Sequence, residues 1–127
     1  MKRVTILTLA MVLAAGVSTA LAGGGGEGKT IEGKLVSAKC YLRAGFTDND
    51  HAGMKGCGTA CVNAGNPIGL LTAEGKYYTL VIPAPQVAEH VGQTLRASGT
   101  IKAGSLIPDK LEMKDGGSWK EVKIDLT

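Results

Sequence analysis

The sequence predicts a small, mainly β domain of five to six strands that close into a barrel. Short alternations of apolar and polar residues recur along the second half of the chain, and two pairs of them flank glycine-containing turns. Only one short segment there favours a helix. A β-sandwich is the alternative, because alternation alone does not fix how a sheet closes.

The N-terminus has the three regions of a secretory signal peptide. Lys2 and Arg3 precede the apolar run VTILTLAMVLAAGV, and STALA supplies the small residues for cleavage after Ala22. We therefore expect an exported protein, either periplasmic or secreted. Three segments are predicted: a signal peptide at 1–22, a flexible glycine-rich leader at 23–28 and a single domain at 29–127.

Composition argues against two classes of partner. The formal net charge of the chain is +3, and it falls to +1 once Lys2 and Arg3 leave with the signal peptide. Nucleic-acid binding needs a basic surface, often with stacking aromatics, whereas this chain has one Trp, three Tyr and one Phe and no basic cluster around them. No membrane association is predicted beyond the signal peptide. The expected partner is an unidentified protein or a metal donor.

The first strand is predicted in KTIEGKLVSAKCYL, residues 29–42, with a bulge or bend near Leu35 where the apolar phase shifts. Residues 43–66 show no strand pattern. PIGLLTA and KYYTLVI then flank Glu74-Gly75 and predict a hairpin. PAPQVAEHVG predicts two turns of helix, with Pro85 in the first turn.

The C-terminal third predicts the remaining strands. TLRASGTIKAG places Leu95, Ala97, Gly99 and Ile101 on one face, and the inward glycine suggests a tight bend or a close approach. KLEMKDGGSWKEVKIDL predicts a second hairpin about residues 115–118. A long bent first strand, with a short helix between strands three and four, is the layout of an OB-type barrel.

Several short motifs are similar to those of a known group of proteins. They are CYL, a following histidine and C-x-x-x-C loop, GNPIGLL with GKYYTL, and LRASGTI. From Gly33 onwards the chain thus resembles a loosely defined group of small exported bacterial proteins with an OB-like fold. The resemblance implies the fold and the location, and it carries no assigned function.

The segment after strand one carries the residues with metal-binding chemistry. Cys40 is expected near the end of the strand, and His51, Cys57 and Cys61 follow within a glycine-rich loop that returns at Pro67. Three sulfurs and one imidazole are a complete tetrahedral set for zinc, and the same soft ligands suit copper(I) or an iron–sulfur centre. We therefore predict a metal site formed by these four residues.

The spacing within the loop supports part of this site. Cys57 and Cys61 are four residues apart, so one helical turn places both thiols on the same side. His51 would continue the same stripe, but Gly53, Gly56 and Gly58 weaken a helix by about 1 kcal/mol each relative to alanine. We expect a helix over residues 58–64 only.

Two other interpretations use the same cysteines. A disulfide from Cys40 to Cys57 or Cys61 would fasten the loop to the barrel and leave one thiol, which describes an interaction module without metal. A thiol redox protein is the third interpretation, although redox catalysts typically use C-x-x-C. The sequence makes no positive case for an enzyme, because no nucleophile motif surrounds its serines.

Overall fold

The computed structural model describes residues 28–126. The predicted signal peptide and most of the glycine-rich leader lie outside the described residues. The strands are β1 (Lys29–Ser37), β2 (Ile68–Leu71), β3 (Tyr77–Leu80), β4 (Thr94–Lys102), β5 (Ser105–Asp115) and β6 (Ser118–Glu121). The helical segments are α1 (Ala38–Ala44), α2 (Cys57–Asn63) and a 3₁₀ helix (Ala84–His90).

All six strands belong to one sheet in the order β3-β2-β1-β4-β5-β6, with antiparallel neighbours. β3 also pairs with β5 in parallel, through Thr79 with Ser105 and Leu80 with Leu106. This extra pairing joins five strands into a ring, and β6 is attached to the end of β5. The prediction of a mainly β fold with five to six strands is confirmed, as are both hairpins.

β1 connects two neighbours along its length. Residues 29–34 pair with β4, and residues 34–37 pair with β2, so Lys34 takes part in both ladders. The last pair joins Ser37 to Ile68, and the amide of Ala38 then donates to the carbonyl oxygen of Pro67 at 2.8 Å. The segment that leaves β1 therefore returns to β2 at an adjacent position.

The first strand is shorter than the sequence pattern indicates. It ends at Ser37, and AKCYLRA forms α1 where a strand up to residue 42 was expected. Leu42 shows the error, since it is 65% exposed and does not face the core. Alanine, lysine, leucine and arginine are good helix formers, and Gly45 ends the helix in the left-handed conformation at φ 72°.

The predicted bend near Leu35 is not a bulge, because the register of β1 is continuous with both neighbours. The bulge lies instead in the β4–β5 ladder, where Ser98 pairs with Lys110 and Gly99 with Pro108. Asp109 is therefore the extra residue. A Cβ atom on Gly99 would overlap the carbonyl oxygen of Ile107, so the inward glycine is required by a close backbone approach.

The core fills the inside of the ring. β4 alternates as predicted, with Leu95, Ala97 and Gly99 buried. Val122 and Ile124, beyond the end of β6, pack against the edge of the core. The largest apolar side chains that are fully buried are Leu35, Ile68, Leu70, Leu95, Leu106, Leu111, Val36, Val62 and Val87.

Residues 28–126 contain three short helical segments, and one of them was predicted between strands three and four. That one is the 3₁₀ helix, which buries Val87 and Ala88 and has Pro85 in its first turn. The other two, α1 and α2, lie in the insertion between β1 and β2. Among residues 28–126, no helix has the length and apolar character needed to cross a membrane.

Candidate metal centre

Three thiols meet between α1 and α2. The Sγ atoms of Cys40, Cys57 and Cys61 all lie within 4.8 Å of one another, and none is in a disulfide. Sulfurs bound to one ion at about 2.3 Å are about 3.8 Å apart in a tetrahedral site and about 4.0 Å apart in a trigonal one. Small side-chain rotations are therefore enough to bring all three onto a common ion.

α2 explains why two of the thiols lie together. The helix begins at Cys57 and continues past Cys61, so the two side chains are one turn apart on the same side. The prediction of a helix only at the end of the loop is confirmed, apart from one residue at each boundary. Gly56 precedes the helix in the left-handed conformation, at φ 66°.

The loop before α2 is fastened to the start of that helix. The main-chain carbonyl of Asn49 accepts from the amide of Gly58 at 2.9 Å, and its side-chain Oδ1 accepts from the amide of Thr59 at 2.8 Å. Asp50 Oδ1 accepts from the amide of Gly56 at 2.7 Å. These bonds satisfy amides that the helix itself leaves without partners, and they fix the backbone that carries Cys57.

The other side of α2 packs on the 3₁₀ helix. Val62 is fully buried in the core, and the hydroxyl of Thr59 lies 2.9 Å from the carbonyl oxygen of Ala88. A Cβ atom on Gly58 would lie 2.5 Å from Cγ1 of Val91, so a glycine is needed for this approach. α2 is thus anchored on the face formed by residues 58, 59 and 62, and the cysteines occupy the remaining side.

Cys40 supplies the third thiol from the first turn of α1. Its side chain is 9% exposed, whereas Cys57 and Cys61 are half-buried. Burial raises the pKa of the Cys40 thiol, and the neighbouring Cys61 thiol also raises it, while the Ser37 hydroxyl acts in the opposite direction. A bound cation would favour the thiolate and overcome the effect of burial.

Ser37 was not recognised as part of the site from the sequence. It precedes α1 as the N-cap residue, is 1% exposed, and makes no capping hydrogen bond with its side chain. Its Oγ has no hydrogen-bond partner among the described residues. An unpaired buried hydroxyl costs about 1–3 kcal/mol, so this position is unusual for a serine.

His51 does not belong to the group of three thiols. Its Nδ1 lies 2.8 Å from the carbonyl oxygen of Asp48, and its ring stacks on Phe46 with centroids 4.5 Å apart. Because a carbonyl oxygen can only accept, Nδ1 is the donor in this contact. Metal-bound histidines often have this arrangement. The role of His51 as a ligand stays a prediction.

The backbone around His51 is a turn and not a helix. His51 and Met54 exchange two main-chain hydrogen bonds, of 3.2 and 3.0 Å. Ala52 and Gly53, between them, have φ values of 52° and 75°. A helical stripe from residue 51 to residue 61 is therefore not formed, because the glycines favour turns here.

A separate cleft of about 520 Å³ lies beside β1 and the β2–β3 turn. Its lining combines the charged residues Glu32, Lys34 and Glu74 with Leu71, and it includes none of the cysteines. The thiol cluster therefore lies outside this cleft.

No protein-family model, curated protein or solved structure matches this chain. The residues of the thiol cluster are therefore the basis for assigning a function.

Proposed function

We propose that this protein is an exported metal-binding protein with an OB-like fold, in which Cys40, Cys57 and Cys61 hold one soft metal ion with His51 as the fourth ligand. One observation carries the proposal: three free thiols, from two different helices, lie within 4.8 Å of one another. Thiolates grouped in this way select zinc, copper(I) or the iron of an iron–sulfur centre.

The OB-like assignment is supported by the connectivity of the ring. β3 and β5 meet in parallel, and the 3₁₀ helix lies between β3 and β4 in the chain. A five-stranded, partly open Greek-key barrel is the OB layout. Export is supported by the charged, apolar and small-residue regions of residues 1–22.

The exposure of the thiols favours exchange of the ion over a purely structural role. Cys40 is buried and would hold the inner side of the ion, whereas Cys57 and Cys61 are partly open to solvent. An ion reachable from one side suits a protein that receives or passes on a soft metal.

Metal analysis of the chain from residue 23 to 127, purified from an oxidising compartment without chelator, tests the proposal. We expect about one equivalent of zinc, copper or iron, because one set of ligands is available. The variants Cys40→Ser, Cys57→Ser and Cys61→Ser should each lose the ion. A metal-free protein with one free thiol and a mass lower by two protons would instead show a disulfide and contradict the proposal.

The contribution of His51 can be separated from that of the cysteines. His51→Ala should weaken metal binding by at least the roughly 10- to 100-fold that is typical of losing an outer-shell partner, because the imidazole is proposed as a direct ligand. His90→Ala is the matched control, because it removes the other histidine of the chain. His90 lies at the end of the 3₁₀ helix and contacts Gln93. Equal affinities for both variants would leave a three-sulfur site without His51.

A further inference from the structure

Ser37 is a helix-capping residue whose side chain does not cap. A serine at this position normally accepts a hydrogen bond from an amide two or three residues later. Here the backbone is extended, at φ −70° and ψ 126°, and no such bond is made. The hydroxyl is buried, with the residue 1% exposed, and has no partner among residues 28–126.

The sulfur of Cys40 is a candidate acceptor for this hydroxyl. Cys40 is the third residue of α1, and the side chain at this position is the one that reaches back towards the N-cap residue in a capping box. Ser37 lies close enough to Cys40 for its hydroxyl to lower the pKa of the thiol, although no hydrogen bond of good geometry joins the two side chains. The Ser37 hydroxyl, a donor without an acceptor, therefore lies near the Cys40 sulfur, which is proposed as a metal ligand.

A bound metal changes how well the sulfur accepts a hydrogen bond. A neutral thiol is a weak acceptor, whereas hydrogen bonds to an ionised group are shorter and about twice as strong. Metal binding removes the thiol proton and leaves negative charge on the sulfur. The Ser37 hydroxyl, which makes no hydrogen bond of good geometry in this structure, then lies beside a strong acceptor.

We propose that Ser37 donates a hydrogen bond to the metal-bound thiolate of Cys40 and acts as a positioning residue that strengthens metal binding. This inference rests on the proposed function. Partners in the outer shell of a metal site typically change affinity by about 10- to 100-fold when they are removed. Ser37 thus links the end of β1 to the ion through the sulfur of Cys40.

A pair of variants with the same shape provides the test. Ser37→Thr keeps the hydroxyl, and Ser37→Val replaces it with a methyl group, so both add similar bulk to the buried site. We expect zinc and copper(I), each measured by competition with a chromophoric chelator, to bind about 10- to 100-fold more weakly to the Val variant than to the Thr variant. Equal affinities would overturn the proposal.

Ser37→Ala provides a second test, because its effects on stability and on metal affinity should differ in direction. Because it removes an unpaired buried hydroxyl, the metal-free protein should melt at the same or a higher temperature, while metal affinity falls. Ser98→Ala is the control, since Ser98 contacts Thr30 on the sheet and should leave metal affinity within about twofold of the unmodified chain. A lower melting temperature with unchanged affinity would assign Ser37 to folding alone.

The two proposals fail in different ways. If the unmodified chain binds neither zinc nor copper(I) nor an iron–sulfur centre, the proposed function is wrong and the role of Ser37 falls with it. If the unmodified chain binds metal and the Thr and Val variants bind it equally, only the role of Ser37 is wrong.

Discussion

Glu112, at the residue scale, is a carboxylate held between two cations. Its Oε2 accepts from Nε of Arg96 at 2.6 Å, and its Oε1 lies 3.0 Å from Nζ of Lys110. These contacts lower the pKa of Glu112 to about 2, and the hydrogen bond from Arg96 has the larger effect. The guanidinium of Arg96 also lies over the ring of Trp119, 4.4 Å from its centroid, which fixes the ion pair from its other side.

Glu112→Gln should make stability less sensitive to acid. The pKa of Glu112 in the folded state, about 2, is below its ordinary value of about 4.3. The ionised group therefore stabilises the fold above that ordinary value, and this contribution is lost as the pH falls through about 2. Free energies of unfolding in urea, measured from pH 7 to pH 2, should fall less steeply for the variant. Glu121→Gln, at an exposed position on β6, is the control and should keep the pH dependence of the unmodified protein. The same pH dependence in both variants would refute the role given to Glu112.

The thiol cluster shows which site residues a sequence can reveal. Cys57 and Cys61 could be placed together because a helical spacing of four acts locally. Cys40 could be included only because it is a third thiol, since its separation in sequence from Cys57 does not fix the distance between α1 and α2. Ser37 could not be found, because a buried hydroxyl without a partner is a property of packing and not of residue type.

Gly99, at the element scale, marks the β-bulge between β4 and β5. Gly99→Val should lower the free energy of unfolding by about 1–3 kcal/mol or more, because the new side chain would meet the carbonyl of Ile107 and the backbone of Pro108. Thermal and urea unfolding measure the effect. Gly117→Val is the matched control, since a Cβ atom there meets nothing within 4 Å. Similar losses in the two variants would show that the close approach at Gly99 is not limiting.

Strands with one buried face were predicted well, and the end of β1 was not. β4 has buried residues at every second position, which the sequence shows directly. At the junction of β1 and α1, Val36, Ala38 and Cys40 also alternate, and all three are buried. Alternation at every second residue predicts a strand, and here tertiary packing overrides that pattern, since Ser37 is also buried between Val36 and Ala38.

At the scale of the whole molecule, the metal is expected to stabilise the insertion and not the sheet. Chelation should increase hydrogen exchange in residues 38–66, because the ion would join α1 to α2, while β2 to β5 keep their protection. Hydrogen-exchange mass spectrometry before and after chelator measures this. A chain with all three cysteines changed to serine is the control and should not respond. An increase spread over the whole sheet would contradict the expectation.

The adjacency of Ser37 and Ile68 has a consequence for how this fold can diversify. The insertion begins and ends at neighbouring points of one ladder, so its length is not constrained by the strands that carry it. The insertion must keep the side of α2 that carries Thr59 and Val62, because Thr59 bonds to the 3₁₀ helix and Val62 is buried in the core. Positions 57 and 61 fall on the opposite side of the helix, so we expect substitutions there to change the thiol cluster and leave the scaffold intact. We therefore expect the same framework to accept designed sites of other chemistry at these two positions.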